Sequence, residues 1–97
     1  MDELQRLQHW YRRQCNEDWE HTFGVTIDTL DNPGWHVCID LIETELEQKP
    51  FASISRGDSE DDADWIICTV EKSQFVASGG AGNLTELLGV FLSWAEA

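Results

Sequence analysis

The spacing of apolar residues changes period twice along this chain, and that order constrains the fold more than any other feature. Helical spacing occurs only at the two ends, while the middle alternates with period two and is broken by connections too short for a crossover helix. Near the start, Leu4, Leu7, Tyr11 and Cys15 form a stripe flanked by Trp10 and Gln14, predicting an amphipathic helix from about Asp2 to Cys15. Asp2 and Glu3 in its first turn and Arg12 and Arg13 near its last complement the helix dipole. At the other end Leu84, Leu87, Leu88, Phe91, Leu92 and Ala95 form a broad stripe behind Asn83, which with Glu86 has the spacing of a capping box.

Between the helices, Phe23, Val25 and Ile27 alternate with Gly24, Thr26 and Asp28, the pattern of a half-buried strand. Asp31-Asn32-Pro33-Gly34 follows, with Pro33 and Gly34 matching the central positions of a type II turn, and a second strand spans Trp35 to Ile42. Glu43 to Pro50 reads as a polar connection, and Phe51 to Arg56 as a short strand with Ile54 in the core. Trp65 to Val70 is the richest strand signal, and Lys72-Ser73 turns it into Gln74 to Ala77, ending at Gly79-Gly80. The expected fold is one α+β domain over residues 1–97: an antiparallel sheet of about five strands, order α-β-β-β-β-β-α, with both helices on one face.

Charge narrows the possible partners. Nineteen Asp plus Glu against six Lys plus Arg give a net charge of −13, yet 41% of residues are hydrophobic, enough to fold. Such a balance excludes binding to phosphate backbones or anionic membrane surfaces and favours a basic protein. Three basic residues, Arg6, Arg12 and Arg13, fall in the first helix, so the rest is more acidic than the average. The start, Met1-Asp2-Glu3-Leu4-Gln5-Arg6, has no apolar signal region, and Cys15, Cys38 and Cys68 are odd in number and lie in periodic segments, which suits free thiols in the cytoplasm.

Motifs for catalysis are weak. Asp18-Trp19-Glu20-His21, with His36 and carboxylates across the hairpin, offers metal-ligand types, the basis for an alternative reading as a small metal-dependent hydrolase. No HExxH, CxxC or His-x-His spacing supports it, and no cofactor or metal is expected. The acidic loop Asp58 to Asp64 has Ala63 and Thr69 where a calcium loop needs Gly and Glu. Gly79-Gly80-Ala81-Gly82 lacks the Lys-Ser/Thr of a phosphate loop, and no cysteine has an activating setting.

What remains is a surface. With both helices on one side, Thr26, Asp28, His36, Cys38, Asp40, Trp65, Ile67 and Thr69 share the other, an open face of aromatic anchors and charges. The residues expected to meet a partner are Asp28, His36, Asp40, Asp58, Glu60, Asp61, Asp62, Asp64 and Trp65. Self-pairing of this face as a homodimeric interaction module is the other alternative.

Trp10-Tyr11, Gln14-Cys15-Asn16, Asp18-Trp19-Glu20-His21, Gly24-Val25 and Thr29-Leu30-Asp31-Asn32-Pro33-Gly34-Trp35, with Asp40-Leu41 behind them, resemble bacterial immunity family 53 of polymorphic toxin systems. Gly79-Gly80, Asn83-Leu84 and Trp94-Ala95-Glu96 extend the resemblance over nearly the whole chain, while Glu17 stands where the family pattern carries Gly. The resemblance implies a cytoplasmic, non-enzymatic protein, a monomer or weak homodimer, that binds and blocks a cognate toxin. A basic nuclease is the toxin that the acidic surface suits. Much of the motif reads as scaffold, with Trp19 and Trp35 in the core.

Overall fold

The computed structural model describes residues 1–58 and 60–97; Ser59, within the expected acidic loop, lies outside the described residues. Its elements run α1 (Glu3–Gln14), α2 (Trp19–Thr22), β1 (Val25–Leu30), β2 (Gly34–Asp40), β3 (Ile54–Arg56), β4 (Ile66–Glu71), β5 (Gln74–Gly79) and α3 (Leu84–Glu96). The five strands form one antiparallel sheet in the order β1-β2-β5-β4-β3, so two hairpins stand side by side. Val37, Ile39, Cys68, Phe75 and Ala77 are buried on one face beneath α1 and α3. The expected two-layer α+β architecture is therefore the observed one, with the short α2 added.

An edge-to-face aromatic series holds the layers together. Trp10 meets Phe91 at 5.0 Å between ring centroids, Phe91 meets Phe75 at 5.2 Å, and Phe51 joins Phe75 at 5.6 Å and Trp94 at 5.2 Å. Such pairs add about 0.5–1.5 kcal/mol each beyond the area they bury. The α1 stripe is turned from its expected centre: Leu7 and Trp10 are buried, whereas Leu4 is 56% and Tyr11 38% exposed. Trp10 carries the larger apolar surface, so α1 turns it toward α3. Ile54, expected in the core, is likewise exposed, because β3 is a three-residue edge strand.

Local geometry explains much of the motif-rich first third. Asn16 Oδ1 accepts from the Asp18 and Trp19 amides, at 3.0 and 2.9 Å, and starts α2. The Glu20 carboxylate accepts from the Asn16 and Glu17 amides, each at 2.9 Å, and the Trp19 indole donates to the Ile42 carbonyl at 2.9 Å. Glu17 sits at φ +72°, a conformation that glycine adopts without the Cβ penalty.

Two cap and turn expectations change. A capping box forms at α1, where Asp2 accepts from Gln5 N–H at 2.8 Å and Gln5 Oε1 from Asp2 N–H at 3.1 Å. None forms at α3, because the Asn83 amide is drawn to Asp64 Oδ1 at 2.8 Å and Glu86 Oε1 at 3.3 Å. Gly34 does not adopt the positive φ of a type II turn; it pairs with Leu30 as the first residue of β2, and a Cβ there would overlap the Gly79 carbonyl oxygen. The expected tight turn at Lys72 and Ser73 is present and runs through the left-handed region, at φ 52° and 59°, as the central residues of a type I′ turn require.

Candidate functional site

Strand register defines the face away from the helices. Asp28, His36, Ser78, Ile67 and Ser55 lie in one row across the sheet. Thr26, Cys38, Val76 and Thr69 form the next row, and Asp40, Gln74 and Glu71 a third. All are exposed or half-buried; Ile67, at 45%, is the most exposed large apolar residue of the five strands. The His36 ring nitrogen Nδ1 lies 3.1 Å from Ser78 Oγ.

One end of this sheet is strongly acidic. Beyond the row Thr29, Trp35, Gly79, Ile66 and Arg56 lie the β1–β2 turn with Asp31, the Asp58 to Asp64 loop and the start of α3 with Glu86. Asp28 stands one row in. Arg56 is the one Lys or Arg in the segments that meet here. Its guanidinium bonds Asp64 Oδ1 at 2.6 Å and Glu86 Oε1 at 2.7 Å and makes a second contact with Glu86 Oε2. The Asn83 amide and Arg56 hold the Asp64 carboxyl below its ordinary range, and Arg56 and then Asn83 do the same for Glu86.

The loop folds on itself. Asp58 N–H donates to Asp62 Oδ2 at 3.0 Å, Asp58 Oδ1 accepts from Glu60 N–H at 2.9 Å, and the Asp58 carbonyl accepts from the Asp61 and Asp62 amides. Its return is pinned where Gly80 N–H donates to the Trp65 carbonyl at 3.0 Å, and a Cβ on Gly80 would overlap the Ala63 carbonyl oxygen. Asp58, Glu60, Asp61 and Asp62 are exposed.

Two expected surface residues have different settings. Trp65 is only 5% exposed, between Gly57 and Gly80 and apart from the main core cluster, so it is no exposed aromatic on the open face. The last residue before β4 is covered where loop and sheet meet, and strand alternation alone does not register that cover. Asp40 lies at the opposite end of the sheet from the loop with both oxygens engaged: Oδ1 accepts from the Gln74 amide at 2.8 Å and Oδ2 from Gly24 N–H at 2.9 Å. The acidic end thus holds Asp28 and His36 toward the β1 border and Asp58, Glu60, Asp61, Asp62 and Asp64 toward the β3–β4 border, leaving Asp40 apart and Trp65 beneath. Sequence reading missed the Arg56, Asn83 and Glu86 cluster; the signal was one arginine amid a run of acid.

Among the described residues the metal-ligand types noted in the sequence are dispersed. His21 is exposed on α2 and His36 lies on the sheet face; among the described residues no three His, Cys, Asp or Glu side chains are grouped to hold a metal ion. Burial, then the Asp40 charge, raises the Cys38 thiol pKa, and burial, then the Glu86 charge, pushes that of Cys68 up to about 11. Both are neutral thiols at pH 7. Among the described residues no helix is long and apolar enough to cross a membrane.

Comparison with known proteins gives one family match, a model described as immunity protein 53, over residues 4–96. No curated protein and no solved structure matches the chain.

Proposed function

The chain belongs to the immunity protein 53 family, and from that premise we propose that it neutralises a cognate bacterial toxin domain by stoichiometric binding in the cytoplasm. The observation that supports the mechanism is the acid along one end of the sheet, with Asp28 and Asp31 toward the β1 border and the Asp58 to Asp64 loop toward the β3–β4 border, beside a face that, among the described residues, no helix covers. A nuclease needs a positive cleft for phosphates, so an acidic protein that occupies the cleft gains long-range attraction and displaces substrate together. His36, Ser78 and exposed Ile67 adjoin the charge and supply hydrogen-bonding and apolar contacts, leaving Asp40 and Trp65 as scaffold. The activity is inhibition by occupancy, with no catalytic group, cofactor or nucleic-acid contact on this side.

Co-expression with the toxin domain encoded by the neighbouring reading frame tests the function directly: growth should be restored and a one-to-one complex isolated. In stopped-flow binding, Asp61→Asn with Asp62→Asn should slow association several-fold at low salt and flatten its salt dependence, since charge steering acts on the on-rate. Failure of growth rescue overturns neutralisation. An unchanged on-rate overturns the loop's part in it.

A further inference from the structure

A second surface lies along the edge of β1. The β1 strand occupies one border of the sheet with β2 as its only neighbour, and among the described residues no strand pairs with its outer edge. Asp40 N–H donates to the Gly24 carbonyl at 3.0 Å, and the pair 24/40 continues the β1–β2 register, so it is a hydrogen-bonded pair. Antiparallel alternation then directs the backbone groups of Thr26 and Asp28 toward β2. Those of Val25, Ile27 and Thr29 point outward. Leu41 N–H bonding the Ser73 carbonyl at 2.8 Å confirms the parity on the other side of β2, where odd-numbered residues bond β5.

This edge has few of the usual defences. It is six residues long and contains no proline or lysine; its one charge, Asp28, is on the open face. The other border, β3, has three residues and ends in Arg56. Beside the free edge, on the helix side, a cavity of about 310 Å³ is lined by Leu7, Gln8, Tyr11, Gly24 and Val25. Tyr11 borders it at 38% exposure, and Leu4, one turn before Leu7 on α1, is 56% exposed. The rotation that buries Trp10 leaves this apolar strip beside unpaired backbone.

We infer that β1 and this cavity receive an extended segment of a cationic partner protein, which adds a sixth strand to the sheet. Strand alternation sets its chemistry: side chains on the helix side are apolar and enter the cavity beside Val25, while those on the other side are Lys or Arg and meet Asp28. A second copy of this chain does not fit, because each carries a net charge of −13 and has no such basic strand. The inference rests on the toxin-binding reading and names the part of the toxin that docks.

Hydrogen exchange on the complex with that toxin domain tests it. In the free protein, the Thr26 and Asp28 amides should be protected and those of Val25, Ile27 and Thr29 fast; in the complex all five should be protected. Thr29→Pro removes one outward N–H and leaves every β2 bond in place, so it should weaken binding at least ~10-fold with little change in the urea midpoint. A complex in which Val25, Ile27 and Thr29 still exchange fast overturns strand addition and leaves neutralisation standing. Protection that rises with this chain's own concentration assigns the edge to a second copy and also overturns it. No complex at all overturns both readings.

Discussion

Replacing Trp65 with alanine separates scaffold from interface. The indole is 5% exposed, and a buried Trp side chain removes roughly 200 Å² from water, about 5 kcal/mol at ~25 cal/mol per Å². That figure is an upper estimate because an unfolded chain already buries part of its surface, and Trp→Ala core changes cost about 3–5 kcal/mol. With a urea slope of about 1.5 kcal/mol per M, the midpoint should fall by ~2–3 M, and Tm by well over ~10 °C. Trp65→Phe keeps a ring in the site and should lose less than half as much, which preserves a reading should the alanine variant not fold. Urea titration by circular dichroism, alongside a binding assay on the folded fraction, is the measurement. A Trp65→Ala protein with an unshifted midpoint and no toxin binding would refute the reasoning, since that is how an exposed anchor behaves.

Two further perturbations probe the scaffold. Lys72→Asn with Ser73→Gly relieves two left-handed side-chain residues and should stabilise the hairpin by about 1–2 kcal/mol, raising Tm by several degrees; a lower Tm contradicts the turn assignment. The folded-state values of Asp64 and Glu86 lie below the ordinary 3.8 and 4.5, so the unfolded chain binds more protons in that window and stability there rises with pH. The contribution is complete above about pH 5 and is lost as pH falls through the folded values. The urea-midpoint gap between the parent and Arg56→Met should therefore close between about pH 5 and pH 2; an equal gap at both ends refutes the coupling.

Much of the site was legible because its chemistry is concentrated in one run. Asp58, Glu60, Asp61, Asp62 and Asp64 are exposed and lie at the same end of the sheet as Asp28, because a polar run between two strands and a short turn after β1 are local properties. Asp40 shares that alternation yet belongs to the other end, committed to Gln74 and Gly24, a fact that depends on which strand lies next to β2. Asn83 offered an N-cap in sequence and an amide donor to Asp64 in space. A side chain with two uses takes the partner the fold supplies, and that carboxylate is nineteen residues away.

By itself the sequence determined the order of the two long helices and five strands, the two hairpins and the acidic excess, since each follows from period, turn residues or composition. Tertiary structure alone decided the strand order β1-β2-β5-β4-β3, the burial of Trp65 and the rotation of α1 that buries Trp10 and exposes Tyr11. These outcomes are set by non-local packing: Trp10 and Tyr11 are neighbours separated by one helical step of about 100°, and the surface opposite chooses between them. The same packing leaves β1 at the border, with the backbone groups of Val25, Ile27 and Thr29 turned away from β2 on the side of that tyrosine.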